Sequence, residues 1–263
     1  MSLAKDDDGE VSESLDRIDR EMIRLFALVG EGVAGATHSL LSGNREAARE
    51  LADSDEIIDT LYQEVEQLTQ RQLAQRATGP EELRYLVAVL RMLPDIERSG
   101  DLAEHVSRRA VRGLGVELSP RARGLVEKMG EVACDMWRAT ADAYADRSPG
   151  VAEHLDSLDD EMDELHVTIT AEIASGSMPL PVAIEAALVA RFYERFGDHA
   201  VNLARRISIL AGHGQGNASA ERDPALRRGA RNTRRADARV PALPSAGRSI
   251  HRAHSRTAAR PRR

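Results

Sequence analysis

Hydrophobic side chains recur every three to four positions along most of the chain, which is the repeat of an amphipathic helix. Between these stretches come short breaks rich in glycine, serine or proline, such as SGN, TGP, RSPG and SGSMPLP, and such breaks favour turns. The alternating pattern of a half-buried strand is absent. The pattern predicts six helices, at residues 12–41, 45–76, 81–114, 121–146, 151–174 and 182–211. Long helices joined by short connections are typical of antiparallel bundles, so we expect an all-α fold.

The second half of the pattern repeats the first. IERSGDLAEHVSRR, residues 96–109, aligns with YERFGDHAVNLARR, residues 193–206, at an offset of 97. Residues 51–65 align with residues 155–169 at an offset of 104. The simplest interpretation is a duplicated three-helix unit. We therefore predict two tandem antiparallel three-helix bundles, at residues 1–116 and 117–212.

Composition supports helices and separates a tail from the body. Aromatic residues make up only 3% of the chain, which favours helix over strand. Residues 213–263 contain 13 arginines against 3 acidic residues, and this leaves 23 basic and 40 acidic residues in the remainder, a net charge of −17. We predict that residues 213–263 are a disordered basic tail. The acidic body is not expected to bind nucleic acid, because phosphates would be repelled.

Cysteine content and the N-terminal sequence indicate the compartment. The single cysteine, Cys134, excludes an intrachain disulfide and fits a reducing environment. The sequence MSLAKDDDGE lacks the apolar segment of a signal peptide, and no run reaches the roughly 18 apolar residues that span a bilayer. We expect a cytoplasmic protein whose contact with membranes is peripheral.

Four acidic pairs occupy matching positions in the duplicated frame. In each pair the carboxylates are four residues apart and lie on one helix face. If the second predicted helix faces the third, and the fifth faces the sixth, four carboxylates converge in each half. Such oxygen-rich clusters suit hard cations. The predicted metal ligands are Asp55, Asp59, Glu97, Asp101, Asp159, Asp163, Glu194 and Asp198.

A solvated helix face is the alternative for any one pair, because acidic pairs at this spacing are common on surfaces. Four pairs at matching positions favour a compensating cation, since like charges at this spacing cost about 0.2–0.5 kcal/mol. His105 and His199 lie nearby, but neither recurs in the other half, so we interpret both as surface or packing histidines. A phosphate-binding glycine loop, a serine nucleophile elbow and a Cys/His dyad are all absent from the sequence. We expect no enzymatic activity.

These segments resemble the PhoU family of phosphate-transport regulatory proteins. DIERSGDLAEHVSRRA and RFYERFGDHAVNLARRI resemble its two strongest segments, and DSDEIIDTLYQEV and LDSLDDEMDELHVTI resemble the partner helices. The resemblance covers roughly residues 10–212, and GDLAEHV is similar to the actinobacterial form. It implies carboxylate-bound metal at the eight residues above, with iron, manganese or magnesium as the candidates.

The resemblance also implies partners. It implies a cytoplasmic homodimer or higher homo-oligomer that reaches the membrane through other proteins. Its partners would be the ATPase subunit of a phosphate ABC transporter and a phosphate-sensing histidine kinase. By coupling them it would modulate phosphate uptake and keep the phosphate-starvation response off when phosphate is plentiful.

Two features depart from the family pattern and leave alternatives open. Pro94 lies inside the third predicted helix, so we expect a kink beside the first acidic segment. The basic tail lies outside the family and could contact nucleic acid or anionic lipid. The main alternative function is a metal-binding helical bundle that stores or senses metal without a role in phosphate signalling.

Overall fold

The protein is described by a computed structural model, which covers residues 3–53, 55–75 and 79–222. Side chains are described from residue 13 to residue 212, except at 54, 55 and 76–78. These residues form helices and no strand, which confirms the predicted all-α class. The helices are α1 (Leu3–Ser42), α2 (Arg45–Asp53), α3 (Asp55–Leu73), α4 (Pro80–Val111), α5 (Leu114–Glu117), α6 (Pro120–Ala145), α7 (Val151–Ala174) and α8 (Leu180–Arg222).

The helices α2 and α3 both lie within the second predicted helix, at residues 45–76, and Ser54 between them is outside the described residues. At the position matching Ser54 the counterpart helix α7 has Leu158, which packs against the core. The two repeats therefore differ in sequence next to the first acidic pair of each half.

Several helix boundaries differ from the prediction; the first helix, for example, begins at Leu3 instead of residue 12. The third helix ends at Val111 because Gly113 turns the chain with a φ of 87°, a left-handed conformation that glycine adopts without strain. The short helix α5 follows. The last helix continues past residue 211 to Arg222, so the start of the predicted disordered tail is helical. Residues 223–263, the rest of that tail, lie outside the described residues.

Four helices, α1, α4, α6 and α8, form the centre of the fold. The few aromatic side chains concentrate there: Phe26 of α1, Trp137 of α6 and Phe196 of α8 stack with ring centroids 5.0–5.5 Å apart. Trp137 Nε1 donates a hydrogen bond of 2.8 Å to the Phe26 carbonyl. The hydroxyl groups of Thr37 on α1 and Tyr193 on α8 form a hydrogen bond of 2.7 Å. Helices of the two predicted bundles thus share one core.

The helices α3 and α7 lie on the outside of this centre. The first packs on α1 and α4, and the second packs on α6 and approaches α8 at Gly197. Residues 1–218 form one compact unit. The boundaries 1–116, 117–212 and 213–263 stay a prediction, although each half keeps its own outer helix and its own acidic residues.

Pro94 lies within α4, which continues from Pro80 to Val111 without interruption. Proline offers no N–H to the carbonyl one turn earlier, which loosens the backbone bonds around it. On this turn the Arg206 guanidinium of α8 donates to the carbonyl oxygen of Arg91 and lies 3.2 Å from Asp95 Oδ2. An arginine from the other half therefore contacts the backbone of the turn that precedes the proline. The kink itself stays a prediction.

Among the described residues one helical stretch, Glu13–Ser42 in α1, is long and apolar enough to cross a membrane by length and composition. Its apolar face is the centre of the protein core, where Ile18, Met22, Leu25 and Val29 are at most 1% exposed. The composition of this helix therefore reflects its place in the core of the folded unit.

Candidate functional site

The acidic residues of the first half face each other across α3 and α4; with Asp55 they are called the first cluster. Glu97 and Asp101 are half-buried on α4, and Asp59 on α3 is exposed. Burial raises the pKa of Glu97, and so do the charges of Asp101 and Asp59. Burial and Asp59 raise the pKa of Asp101 as well, while His105 and Arg108 oppose this shift. Asp59 therefore acts on both carboxylates of the α4 pair, as the predicted convergence requires.

Asp55 is the first residue of α3, and its side chain lies outside the described part of the structure. The first cluster is thus described through three of its four predicted carboxylates.

The second half repeats this arrangement across α7 and α8, where Asp159, Asp163, Glu194 and Asp198 form the second cluster. The pKa of Asp159 is raised to about 6, first by burial and then by the charges of Asp163 and Asp198, with Arg205 acting in the opposite direction. Burial and Asp198 raise the pKa of Glu194, and Arg191 and His166 oppose that shift. Carboxylates from both helices therefore interact, as in the first half.

Glycine at position 197 explains how α6, α7 and α8 approach one another here. A Cβ atom at this position would lie 3.3 Å from the Met136 sulfur of α6 and 3.7 Å from Asp159 Oδ1 of α7. The first distance is tighter than ordinary van der Waals contact. A larger residue would therefore push Met136 aside or move the Asp159 carboxylate away from Asp198, which follows Gly197 directly.

Glu194 contains an unsatisfied oxygen. Its Oε1 atom pairs with the guanidinium of Arg191 one turn earlier on α8. Its Oε2 atom is buried and has no hydrogen-bond partner. A buried carboxylate oxygen without a donor costs free energy, so a bound cation or a proton would stabilise it.

A cation fits these clusters by donor chemistry but not by a preformed shell. All predicted ligands are carboxylates, which hard cations prefer. Burial first, and then the neighbouring carboxylates, raise the pKa of Asp159, Glu194, Glu97 and Asp101. Over the described side chains, however, no group of three or more His, Cys, Asp or Glu is placed so that it could hold a metal ion. Binding would therefore require side-chain rearrangement.

Both nearby histidines are packing residues. His105 of α4 meets the Phe192 ring edge-on with centroids 5.3 Å apart. His199 of α8 is buried, and its Nδ1 lies 3.1 Å from the Ser99 hydroxyl of α4. Burial lowers the pKa of His199. These contacts agree with the interpretation drawn from their failure to recur.

Sequence reasoning missed a buried polar constellation around Asp95. This carboxylate is only 5% exposed and lies between α4 and α8. Arg98 donates to its Oδ1 at 2.7 Å, and Arg206 lies 3.2 Å from its Oδ2 without the geometry of a hydrogen bond. A carboxylate between the core residues Leu93 and Ile96 was the available signal in the sequence. The constellation links the two halves at the helices that carry the Glu97 and Glu194 pairs.

Comparison with known proteins gives a consistent result in both halves. The PhoU domain family model matches residues 22–110 and 126–207. The phosphate-specific transport system accessory protein PhoU homolog 2 of Mycobacterium tuberculosis is 31% identical over 205 residues, covering 76% of this chain and 95% of the relative. PhoU homolog 1 of Mycobacterium leprae is also 31% identical, with 76% and 91% covered.

Solved structures show the same fold. PhoU from Pseudomonas aeruginosa superposes with a TM-score of 0.72 at 25% identity and covers 77% of this chain and 99% of its own. The phosphate transport system regulatory protein PhoU from Streptococcus pneumoniae has a TM-score of 0.68 at 20% identity, with 76% and 96% covered. The two matched regions of the chain each contain one acidic cluster.

Proposed function

The chain belongs to the PhoU domain family, and from that premise we propose that it is a regulatory accessory protein of a phosphate transport system. The observation that carries the proposal is the match of the family model to both halves, residues 22–110 and 126–207, each with its own acidic cluster. Relatives named as phosphate-specific transport accessory proteins, at 31% identity over most of their length, support the same role.

In detail, the protein couples the phosphate ABC transporter to the phosphate-sensing histidine kinase and keeps the phosphate-starvation response off when phosphate is abundant. Its partners are the transporter's ATPase subunit and the sensor kinase, which bring it to the inner face of the membrane from the cytoplasm. It works as a homodimer or higher homo-oligomer and by binding, without a catalytic step of its own.

The acidic clusters are the cation sites of this regulator. Asp55, Asp59, Glu97 and Asp101 would hold one cation or cluster, and Asp159, Asp163, Glu194 and Asp198 the other. A bound iron, manganese or magnesium ion would neutralise the carboxylates whose repulsion is described above. The residues themselves would then link α3 to α4 and α7 to α8, stiffening each outer helix against the shared core.

Deletion and complementation test the regulatory role. In a strain that lacks this gene and every other gene matching the PhoU family model, phosphate-responsive genes should be expressed in high phosphate. Restoring this gene alone should repress them again, because this protein suffices to transmit the phosphate signal. Transcripts of the transporter genes in high and low phosphate give the readout.

Two results would contradict the proposal. Normal repression in the deletion strain would remove the regulatory role. Expression of this gene that follows iron or manganese supply and ignores phosphate would favour the alternative, a helical bundle that stores or senses metal.

A further inference from the structure

A groove of about 360 Å³ runs between the first half of α4 and the C-terminal part of α8, and no residue of either acidic cluster lines it. Its floor is apolar and consists of Leu83, Val87 and Ala88 from α4 with Ile209 and Leu210 from α8. Leu83 is 46% exposed and Ile209 is 63% exposed. Single exposed apolar residues are normal, but these are contiguous across two helices, which is typical of an interaction surface.

Three arginines form the rim of this groove: Arg84, Arg91 and Arg206. They stand out on a body whose sequence is strongly acidic. Arg206 is held in place, because it donates to the Arg91 carbonyl and lies 3.2 Å from the buried carboxylate of Asp95. Among the described residues, Arg84 forms a weak surface ion pair with Glu81 at 4.0 Å. No carboxylate in the described residues forms a salt bridge with the Arg91 side chain.

From this combination we propose that the groove docks an acidic amphipathic helix of a partner protein. Leu83, Val87 and Arg91 lie on successive turns of α4, so the groove wall extends about 12 Å, slightly more than two helical turns. Apolar side chains of the partner, spaced at helical intervals, would lie on the floor. Glutamate or aspartate side chains on its flanks would meet the arginine rim, as in other helix-in-groove complexes.

Charge and composition argue against other occupants of the groove. The basic tail, residues 213–263, carries 13 arginines against 3 acidic residues, so the arginine rim repels it. A second copy placed by two-fold symmetry would bring the same three arginines against each other. Single-stranded nucleic acid would find no aromatic side chain among the lining residues on which to stack.

The proposal goes beyond phosphate regulation and does not depend on it, because it rests on the groove alone. Its test therefore uses the purified full-length protein without phosphate, metal or a cell. If the binding test fails, the regulatory role tested by gene deletion still stands. If the deletion test fails, the proposal about the groove still stands.

Binding of two designed peptides tests the docking surface. The first is a labelled helical peptide with leucines at i, i+3, i+4 and i+7 and glutamates on both flanks; the second has lysine in place of every glutamate. Fluorescence anisotropy should show that the acidic peptide binds at least about tenfold more tightly, and that added salt weakens its binding. Ile209→Asp and the pair Arg84→Glu with Arg91→Glu should each weaken it at least about tenfold.

Matched variants outside the groove are the controls. Val167→Asp on α7 introduces the same charge at a residue that is 69% exposed, and Arg138→Glu reverses an exposed arginine of α6. Both should bind the acidic peptide like the unchanged protein. Thermal unfolding followed by circular dichroism confirms that every variant folds.

Several outcomes would overturn the proposal. One is equal affinity for the two peptides, and another is loss of binding in the Val167→Asp control. If Ile209→Asp abolishes self-association in sedimentation experiments while the acidic peptide does not bind, the groove belongs to a second copy. If phosphatidylglycerol vesicles bind through Ile209 and the peptide does not, it belongs to a lipid surface.

Discussion

The two acidic clusters have the same spacing in the sequence but different surroundings in the structure. In the second cluster the pKa of Asp159 is raised to about 6, first by burial, then by Asp163 on the same helix and by Asp198 on α8. In the first cluster the pKa values of Glu97 and Asp101 are raised by burial and by Asp59. Glu194 forms an ion pair with Arg191, and the residue at the matching position in the first half is Pro94.

The sequences next to the first acidic pair of each half also differ. In the second half Leu158 packs against the core one residue before Asp159. The matching residue in the first half is Ser54, which has no apolar side chain to make such a contact. A repeat in sequence thus fixes the spacing along each helix, whereas the core contacts fix the distance between helices.

Loss of bound metal is the largest effect expected from the clusters. Protein purified without chelator and loaded with iron, manganese or magnesium should carry metal in both halves. Glu194→Ala with Asp198→Ala should remove about half of it, and Glu97→Ala with Asp101→Ala about half as well, because each pair supplies half of one ligand set. Elemental analysis after gel filtration measures the content.

The two clusters should fill in a definite order. At limiting metal the second cluster should fill first, because burial and neighbouring carboxylates raise the pKa of Asp159 to about 6 and a cation offsets both effects. Asp135→Ala, an exposed carboxylate of α6 outside both clusters, is the control and should leave the content unchanged. Protein that carries no metal under any loading condition would exclude both sites while leaving the regulatory role standing.

Close packing at Gly197 should make the second cluster sensitive to side-chain size. Gly197→Leu places a large side chain against Met136 and the Asp159 carboxylate, and overpacking of this kind costs about 1–3 kcal/mol. The measurement is urea unfolding of the metal-free protein. The same variant should also weaken metal binding in the second cluster and not in the first.

Gly124 of α6 provides the matched control, because nothing lies within 4 Å of a Cβ atom placed there. Gly124→Ala should raise the free energy of unfolding by about 0.5–1 kcal/mol through helix propensity alone. If Gly197→Leu is as stable as the unchanged protein, α6 and α7 do not pack as closely at Gly197 as described.

The sequence predicted the helices best where packing and propensity agree. Residues 151–174 form α7 as predicted, because apolar spacing and good helix formers coincide over the whole segment. The end of the third helix was predicted three residues too late, because apolar residues continue through Val111 to Leu114. The left-handed conformation of Gly113 ends the helix between them.

The candidate site was predictable only along each helix. Spacing placed two carboxylates on one face in every pair, and the structure brings Asp59 of α3 towards α4 and Asp159 of α7 towards α8. Contacts between helices were beyond reach: the interaction of Arg206 with Asp95 joins residues 111 positions apart and depends on how the two halves share a core. The eight metal ligands stay a prediction.

Removing one carboxylate from the second cluster should stabilise the metal-free protein. The pKa of Asp159 is about 6 in the folded protein against 3.8 for an ordinary aspartate, so its ionisation destabilises the fold at pH 7. Because the group is only partly buried, solvent screening reduces the gain from Asp159→Asn to about 1 kcal/mol. Unfolding in urea with a chelator present measures it.

The pH dependence of the stability gain in Asp159→Asn shows whether charge or packing causes it. The gain from Asp159→Asn should shrink as the pH falls through 6 and vanish below 3.8, where Asp159 is protonated in both the folded and unfolded states. Asp101→Asn in the first cluster should give a smaller gain of the same sign, since its pKa is raised by burial and Asp59. A gain that is independent of pH would point to packing instead of charge.

The smallest expected effect tests why Glu194 differs from Glu97. Arg191→Met removes the cation that pairs with Glu194 and gives the second cluster an uncharged residue at the position that Pro94 occupies in the first. The pKa of Glu194, followed by carbon NMR of its carboxyl group, should rise further, because Asp198 and burial then act without this opposition. Stability should change by only about 0–1 kcal/mol, since the arginine is largely exposed.

Arg138→Met, which breaks a similar i, i+3 pair with Asp135 on α6, should leave the Glu194 titration unchanged. A fall in the pKa of Glu194 in Arg191→Met would mean that another cation replaces the arginine, and that the two clusters differ for a reason other than this residue.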